Sequence, residues 1–183
     1  MKTYIALFRG INVGGNNPLP MHELRQVLEK NGGVDVRTYV QSGNAVFRSA
    51  VSSPADLATR IAAAVAKARG FEPRVLVLTQ SELERAAADN PFPQADGNPA
   101  SVHLFFLADR PKKPDLKGLG ALKTKSEDFA LKGKTFYIHT PDGFGISKLG
   151  ARAERLLGVD ATARNWRTVT ALIHMAKTGA ATP

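Results

Sequence analysis

With 183 residues, 43% of them hydrophobic, the chain can bury a core for one domain or two small ones, and its lack of cysteine excludes disulfides, a cysteine nucleophile and thiolate metal sites. The formal net charge of +9 is uneven: residues 1–109 hold 11 basic and 10 acidic side chains, whereas residues 110–183 hold 14 and 6, a local net of +8. No run approaches the roughly 18 apolar residues of a membrane span, and Met1-Lys2-Thr3-Tyr4 leads into a strand pattern without an apolar leader, so the expectation is a cytoplasmic protein with no membrane partner.

Thr3 to Arg9 alternates as a strand and runs into Arg9-Gly10-Ile11-Asn12-Val13-Gly14-Gly15-Asn16-Asn17, where three glycines and three asparagines in nine residues permit positive φ and close backbone approach. Behind Pro20, the apolar residues Leu24, Val27 and Leu28 recur at helical spacing, and Gly32-Gly33 stop that helix. Two β-rich runs, Val34 to Gln41 and Asn44 to Ser49, meet at Ser42-Gly43-Asn44 as a hairpin. Ser53 is placed to cap a second helix that carries Leu57, Ile61, Ala64, Val65 and Ala68 on one face up to Gly70, and Arg74 to Leu78 reads as a fourth strand. Residues 1–79 therefore have the order β-α-β-β-α-β of a ferredoxin-like half.

Thr79-Gln80-Ser81-Glu82 is a capping box for a short connecting helix, and Asn90-Pro91-Phe92-Pro93 breaks it, so residues 80–99 read as connecting helix and loop. Residues 100–183 then repeat the order β-α-β-β-α: a strand from Val102 to Ala108, a helical turn near Leu116 to Leu122, a hairpin of Asp128–Leu131 with Thr135–His139, and a helix from Ser147. A last helix starts near Asn165 with Val169, Leu172, Ile173 and Ala176 on one face, and the tail from Gly179 is expected to fray. The fold class is α+β, ferredoxin-like with duplicated character, plus a C-terminal helix.

In a β-α-β-β-α-β unit the first β–α loop and the hairpin turn fall at the same sheet edge, which brings Gln41, Ser42, Gly43 and Asn44 beside Arg9, Gly10, Asn12, Gly14 and Gly15. Amide side chains, one guanidinium and flexible backbone suit a phosphate or carboxylate; the alternative is that Gly43 and Asn44 only form the turn while Asn12 ties the loop backbone. The same tracing joins Arg110, Lys112 and Lys113 to Lys132 and Lys134 as a basic rim, either functional or merely solubilising. Ser147 beside Lys148 is most simply a helix cap, and Trp166, between Arg164-Asn165 and Arg167 at a helix start, either docks that helix or offers a stacking surface.

Four stretches, YIALFRGINVGG from Tyr4, RTYVQSGNAVF from Arg37, PDGFGISKL from Pro141 and ARNWRTV from Ala163, resemble the bacterial domain-of-unknown-function family numbered 1697. The resemblance spans residues 1 to about 175 and implies a ferredoxin-like α+β arrangement with duplicated character and no established activity. It singles out Arg9, Gly10, Asn12, Gly14, Gly15, Gln41, Ser42, Gly43, Asn44, Gly143, Ser147, Lys148, Arg164, Asn165 and Trp166.

Three classes of function follow. The first is binding of a phosphorylated or carboxylated small molecule or nucleotide at the edge of the 9–17 and 41–44 loops. The second is a nucleic-acid module using the basic second half, although Ser42 to Ser49 offers one aromatic where an RNA-recognition motif needs several. The third is a protein-interaction or structural module without catalysis. The sequence names no cofactor, and catalysis stays open: His22, His103, His139 and His174 stand outside the strongest motifs, and no HExxH, GxSxG, P-loop or dinucleotide fingerprint is present. With the histidines scattered singly, no metal site is expected.

Overall fold

The apolar run from Tyr4 to Phe8 forms β1 (Lys2–Arg9), and because every residue of that run is buried, β1 belongs in the middle of a sheet. It pairs antiparallel with β3 (Asn44–Ser49) on one side and β4 (Arg74–Thr79) on the other, and β2 (Val34–Tyr39) completes the order β2-β3-β1-β4. The computed structural model describes residues 1–41 and 43–179. By packing, the chain divides into two units, Met1–Arg85 with the chain from Ala171 onward, and Ala86–Thr170.

In the first unit, α1 (Met21–Lys30) and α2 (Pro54–Arg69) bury the faces that their periodicity marks. Tyr4, Ala6, Phe8 and Phe47 of the sheet share one core with Leu24 and Leu28 of α1 and Leu57, Ile61 and Val65 of α2. The α2 ends are both closed: Ser53 Oγ accepts from the Asp56 N–H at 3.1 Å, and Gly70 takes the left-handed cap at φ 76°. The start of α1 differs, because Pro20 stands at its N-cap and no side chain caps its first turn. At the sheet edge, the pairing of β2 shifts between Val34 and Arg37 around Asp35 at φ 55°, a bulge that twists the strand away from further pairing. Arg37 Nη1 donates to the Met175 carbonyl at 2.9 Å.

The second unit begins within α3 (Gln80–Ala88), whose capping box is reciprocal: Glu82 Oε2 accepts from the Thr79 N–H at 2.7 Å and Thr79 Oγ1 accepts from the Glu82 N–H at 3.2 Å. After the short α4 (Gln94–Gly97) come β5 (Val102–Leu107), α5 (Leu116–Leu122), β6 (Asp128–Lys132), β7 (Thr135–His139) and a 3₁₀ turn at Phe144–Ile146. α6 (Lys148–Leu157), β8 (Ala161–Asn165) and α7 (Trp166–Thr178) follow. The sheet order β6-β7-β5-β8 matches the first sheet position for position, all antiparallel. Its core sets Phe105, Leu107, Phe136 and Ile138 against Leu119 of α5 and Leu149, Ala153 and Leu157 of α6, with the Phe105 and Phe136 rings edge to face at 5.6 Å. The protein is thus an α+β chain of two ferredoxin-like sheets and a C-terminal helix.

Two features depart from the sequence reading. Residues 161–165 form a strand, so the second unit is β-α-β-β-α-β, one strand more than expected; Ala-Thr-Ala-Arg-Asn has a single β-branched residue, and only its register against β5 makes it a strand. Chain order places the last helix with the second half, whereas packing groups the chain from Ala171 with the first unit. Ser42 and the tail beyond Gly179 lie outside the described residues. Among the described residues no helix is long and apolar enough to cross a membrane.

The ring of Phe105 touches both Phe136 and Phe144. Phe105→Ala is expected to cost about 3–5 kcal/mol, read as a lower urea midpoint at unchanged slope.

Candidate functional site

At the end of β1 the chain and the β2–β3 turn meet at one edge of the first sheet, joined by a backbone hydrogen bond from the Phe8 N–H to the Gly43 carbonyl at 2.8 Å. Gly43 has to be glycine there. Its φ is 77°, and a Cβ would stand 2.6 Å from Phe8 Cβ and 2.7 Å from Ile11 Cδ1. Ile11 is itself buried and anchors the near end of the glycine loop.

Beyond it, Asn12 spends its amide on the loop. Nδ2 donates to the carbonyls of Leu19 and Gln41, each at 2.9 Å, and Oδ1 accepts from the Leu19 N–H at 2.7 Å. Asn17 Nδ2 donates to the Gly10 carbonyl at 2.8 Å, and its own carbonyl accepts from the Asn12 N–H at 3.1 Å. The tip is a tight exposed turn, Val13 to Asn16, around Gly14 and Gly15 at φ 58° and 77°. Asn44 is fully buried and donates to the Tyr39 carbonyl at 3.1 Å. The asparagines expected to face a ligand therefore do much of the work of shaping the edge. Val40, a β-branched residue at φ 48°, is held in the left-handed region beside Gln41 and half exposed, a strained position of the kind concentrated at functional sites.

Against this edge lies an open depression of about 440 Å³, lined by Asn12, Gln41, the segment Pro18 to Met21, His22 and Arg25. Only Asn12 and Gln41 of the sequence candidates line it. Arg9, Gly10, Gly14, Gly15 and Gly43 do not; Arg9 stands in register opposite Arg74 at the other side of β1. His22 and Arg25 were not singled out from sequence, although their spacing of three puts both on one face of the first turns of α1. No carboxylate is in the lining: Glu23, also in that first turn, is bound to Arg69 Nη1 at 3.1 and 3.2 Å, and Arg69 Nη2 holds the Pro18 carbonyl at 2.9 Å.

The candidates of the second unit are placed differently. Ser147 is buried and accepts from the Gly150 N–H at 3.0 Å as the cap of α6, while Lys148 is exposed. Asn165 Oδ1 accepts from the Thr168 N–H at 2.9 Å as the cap of α7, and Trp166 is half-buried. Arg164 is largely enclosed; burial brings its guanidinium down to about 10, still charged at neutral pH, and Nη1 donates to the Ala163 carbonyl at 2.8 Å. His103 stacks on Phe144 at 3.9 Å and 15°, its Nδ1 is buried without a hydrogen bond among the described residues, and burial lowers its pKa to about 4.

Part of the expected basic rim comes together: Arg110, Lys112 and Lys134 lie about Asp109 and Gly133. The Leu107 N–H donates to the Lys134 carbonyl at 2.9 Å, and Lys134 Nζ lies 3.6 Å from Asp109. The Arg110 N–H, then Lys134, hold the Asp109 carboxyl below its ordinary range. Lys132 and Lys134 also donate to the carbonyls of Asp89 and Ala108. Among the described residues no three His, Asp or Glu side chains converge as metal ligands.

The family described as "Protein of unknown function (DUF1697)" matches residues 1–137. Among solved structures, a conserved bacterial protein from Streptococcus pneumoniae is similar at 27% identity and a TM-score of 0.69, over 96% of this chain and 99% of that one. No curated protein matches.

Two variants test the edge. Gly43→Ala combines the left-handed penalty with overpacking and is expected to cost about 2–5 kcal/mol in urea denaturation, whereas Gly10→Ala, at φ 78° with open space around its Cβ, should cost about 1–2 kcal/mol. A pH series tests His103. In the unfolded chain this histidine protonates near 6.5 and in the fold only near 4, so as pH falls the unfolded state takes up the proton first. Stability should fall by about 3 kcal/mol between these values and level off below; His103→Phe should flatten that limb.

Proposed function

Since the chain belongs to the DUF1697 family, a membership that brings a fold and no reaction, we propose from its geometry that the first unit binds a small anionic ligand in the depression at the start of α1. The ligand class is a phosphate- or carboxylate-bearing metabolite or a nucleotide, with an apolar portion against Pro18, Pro20 and Met21. One observation carries this reading: the depression combines Arg25, His22 and the Gln41 amide with no carboxylate, at a helix N-terminus that no side chain caps. The first N–H groups of a helix have no partner within it and sit at the positive end of its dipole, so an anion there gains hydrogen bonds and field together. Arg25 adds the charge, and the binding of Glu23 to Arg69 removes the nearest competing anion. The loop contributes rigidity, because Asn12 fixes Gln41 and Leu19 at the rim before any ligand arrives.

The test is a thermal-shift titration with inorganic phosphate, citrate and adenosine monophosphate. At least one should give a saturable rise in melting temperature that persists at high salt, with Arg25→Ala weakening it by about 1.5–3 kcal/mol, roughly 10- to 150-fold, and Arg60→Ala leaving it unchanged. Equal affinity in Arg25→Ala, or no shift with any of the three, would refute the reading.

A further inference from the structure

We propose that the outer face of α5 and α6 in the second unit is a contact surface for the phosphodiester backbone of nucleic acid, recognised without regard to base. Helix α6 buries Leu149, Gly150, Ala153 and Leu157 and turns Lys148, Arg152 and Arg155 outward. Their spacing of four and three residues aligns them within about 40° of one line and spreads them over about 10.5 Å of axis. One strand of a duplex presents a phosphate about every 3.4 Å along its axis, so the line of three cations spans about three phosphate steps.

The line continues beyond α6. The Asp115 N–H donates to the Leu156 carbonyl at 2.8 Å, which fixes the start of α5 at the end of α6 and brings the exposed Lys113 and Lys117, on either side of Asp115, to the far end of the line. Small residues accompany the cations on these helices: Gly120, Ala121 and Ala151 are exposed, and a Cβ on Gly120 would meet open space, so packing does not account for a glycine inside a helix.

The nearby acids are occupied. Asp115 accepts from the Gly118 N–H at 2.7 Å, and Glu127, itself buried, accepts from the Thr124 N–H at 2.9 Å. Asp128 pairs with Lys123 at 3.0 Å, Asp142 accepts from the Ser126 hydroxyl at 2.6 Å and Glu154 from the Ala161 N–H at 3.2 Å. Lys148, Arg152 and Arg155, by contrast, make no ion pair among the described residues. Of these carboxylates Glu127 is buried and the others keep their charge at the surface, each held by a neighbouring donor, while the cations of α6 are left to act on a ligand.

Two further facts select nucleic acid over a lipid surface and exclude base stacking. The exposed large apolar residues of this unit are Leu116 and Ile146, at opposite ends of α6 and so about 15 Å apart, not a contiguous patch that could enter a bilayer. Neither is aromatic, so this face has no platform for bases.

The experiment measures binding of the full chain to a labelled 20-nucleotide mixed-sequence RNA, to a 20-base-pair DNA duplex and to phosphatidylserine vesicles, across a salt series. The wild type is expected to bind at least one nucleic acid, the tighter of the two identifying the strand form. The triple variant K148E/R152E/R155E should lose at least tenfold at 50 mM salt, and its log–log salt slope should shrink by about 2–3, from roughly 0.7–0.9 per lost phosphate contact. A control with the same charge change on exposed positions of the first unit, K30E/R60E/K67E, should retain most of both; circular dichroism of both variants checks the fold. The proposal is overturned if the wild type binds neither nucleic acid, if it binds the vesicles alone, if K148E/R152E/R155E keeps affinity and slope, or if the two triple variants weaken binding equally.

Discussion

The approach of Gly43 to Phe8 and Ile11 organises the first unit. With no Cβ at that position, the turn carbonyl reaches the last buried amide of the central strand, and the turn is fixed to the strand at 2.8 Å. Once the turn is fixed, Gln41 has a place, and Asn12 can bond it and Leu19 with one amide group. That bridge holds the far end of the loop where Pro20 must begin α1. The uncapped helix start, the depression beside it and the strain at Val40 all follow from a backbone contact that a methyl group would forbid.

Much of this was legible in the residues. The alternation of β1, the helix faces, Ser53 and Gly70 around α2 and the Thr79–Glu82 box are local signals, and the structure uses each as local chemistry demands. The meeting of the two glycine-bearing loops was legible from topology alone. What was not legible depends on long-range partners. Strand β8 carries an Ala-Thr-Ala-Arg-Asn sequence with little intrinsic preference, and only pairing with β5 makes it a strand. Asn12 reads equally as a ligand amide or a loop tie, and only the positions of Leu19 and Gln41 show that its hydrogen bonds are taken. His22 and Arg25 carry no motif; they matter because α1 begins where the loop delivers it.

The two units repeat one backbone solution with different side chains. The bond from the Leu107 N–H to the Lys134 carbonyl, next to Gly133 at φ 60°, corresponds to that from the Phe8 N–H to the Gly43 carbonyl, and it closes the equivalent edge of the second sheet. Around the first bond stand glycines and amides; around the second stand Lys132, Lys134, Arg110 and Asp109. The frame is indifferent to this exchange, because the edge is held by main-chain groups and the side chains there are left to other duties.

The bond from Arg37 to the Met175 carbonyl bears on the order of events during synthesis. The two residues are 138 positions apart, yet both belong to the first unit, and the guanidinium rests on the last turn of α7. A ribosome adding about 5–20 residues per second needs roughly 5–18 s to travel from residue 85 to residue 175. Through that interval the first sheet can form while the edge strand β2 still lacks its terminal helix, and the Asp35 bulge is the feature of that strand that discourages pairing with a neighbouring nascent chain. The irregular edge thus acts as protection in time, needed most before the last helix has left the ribosome.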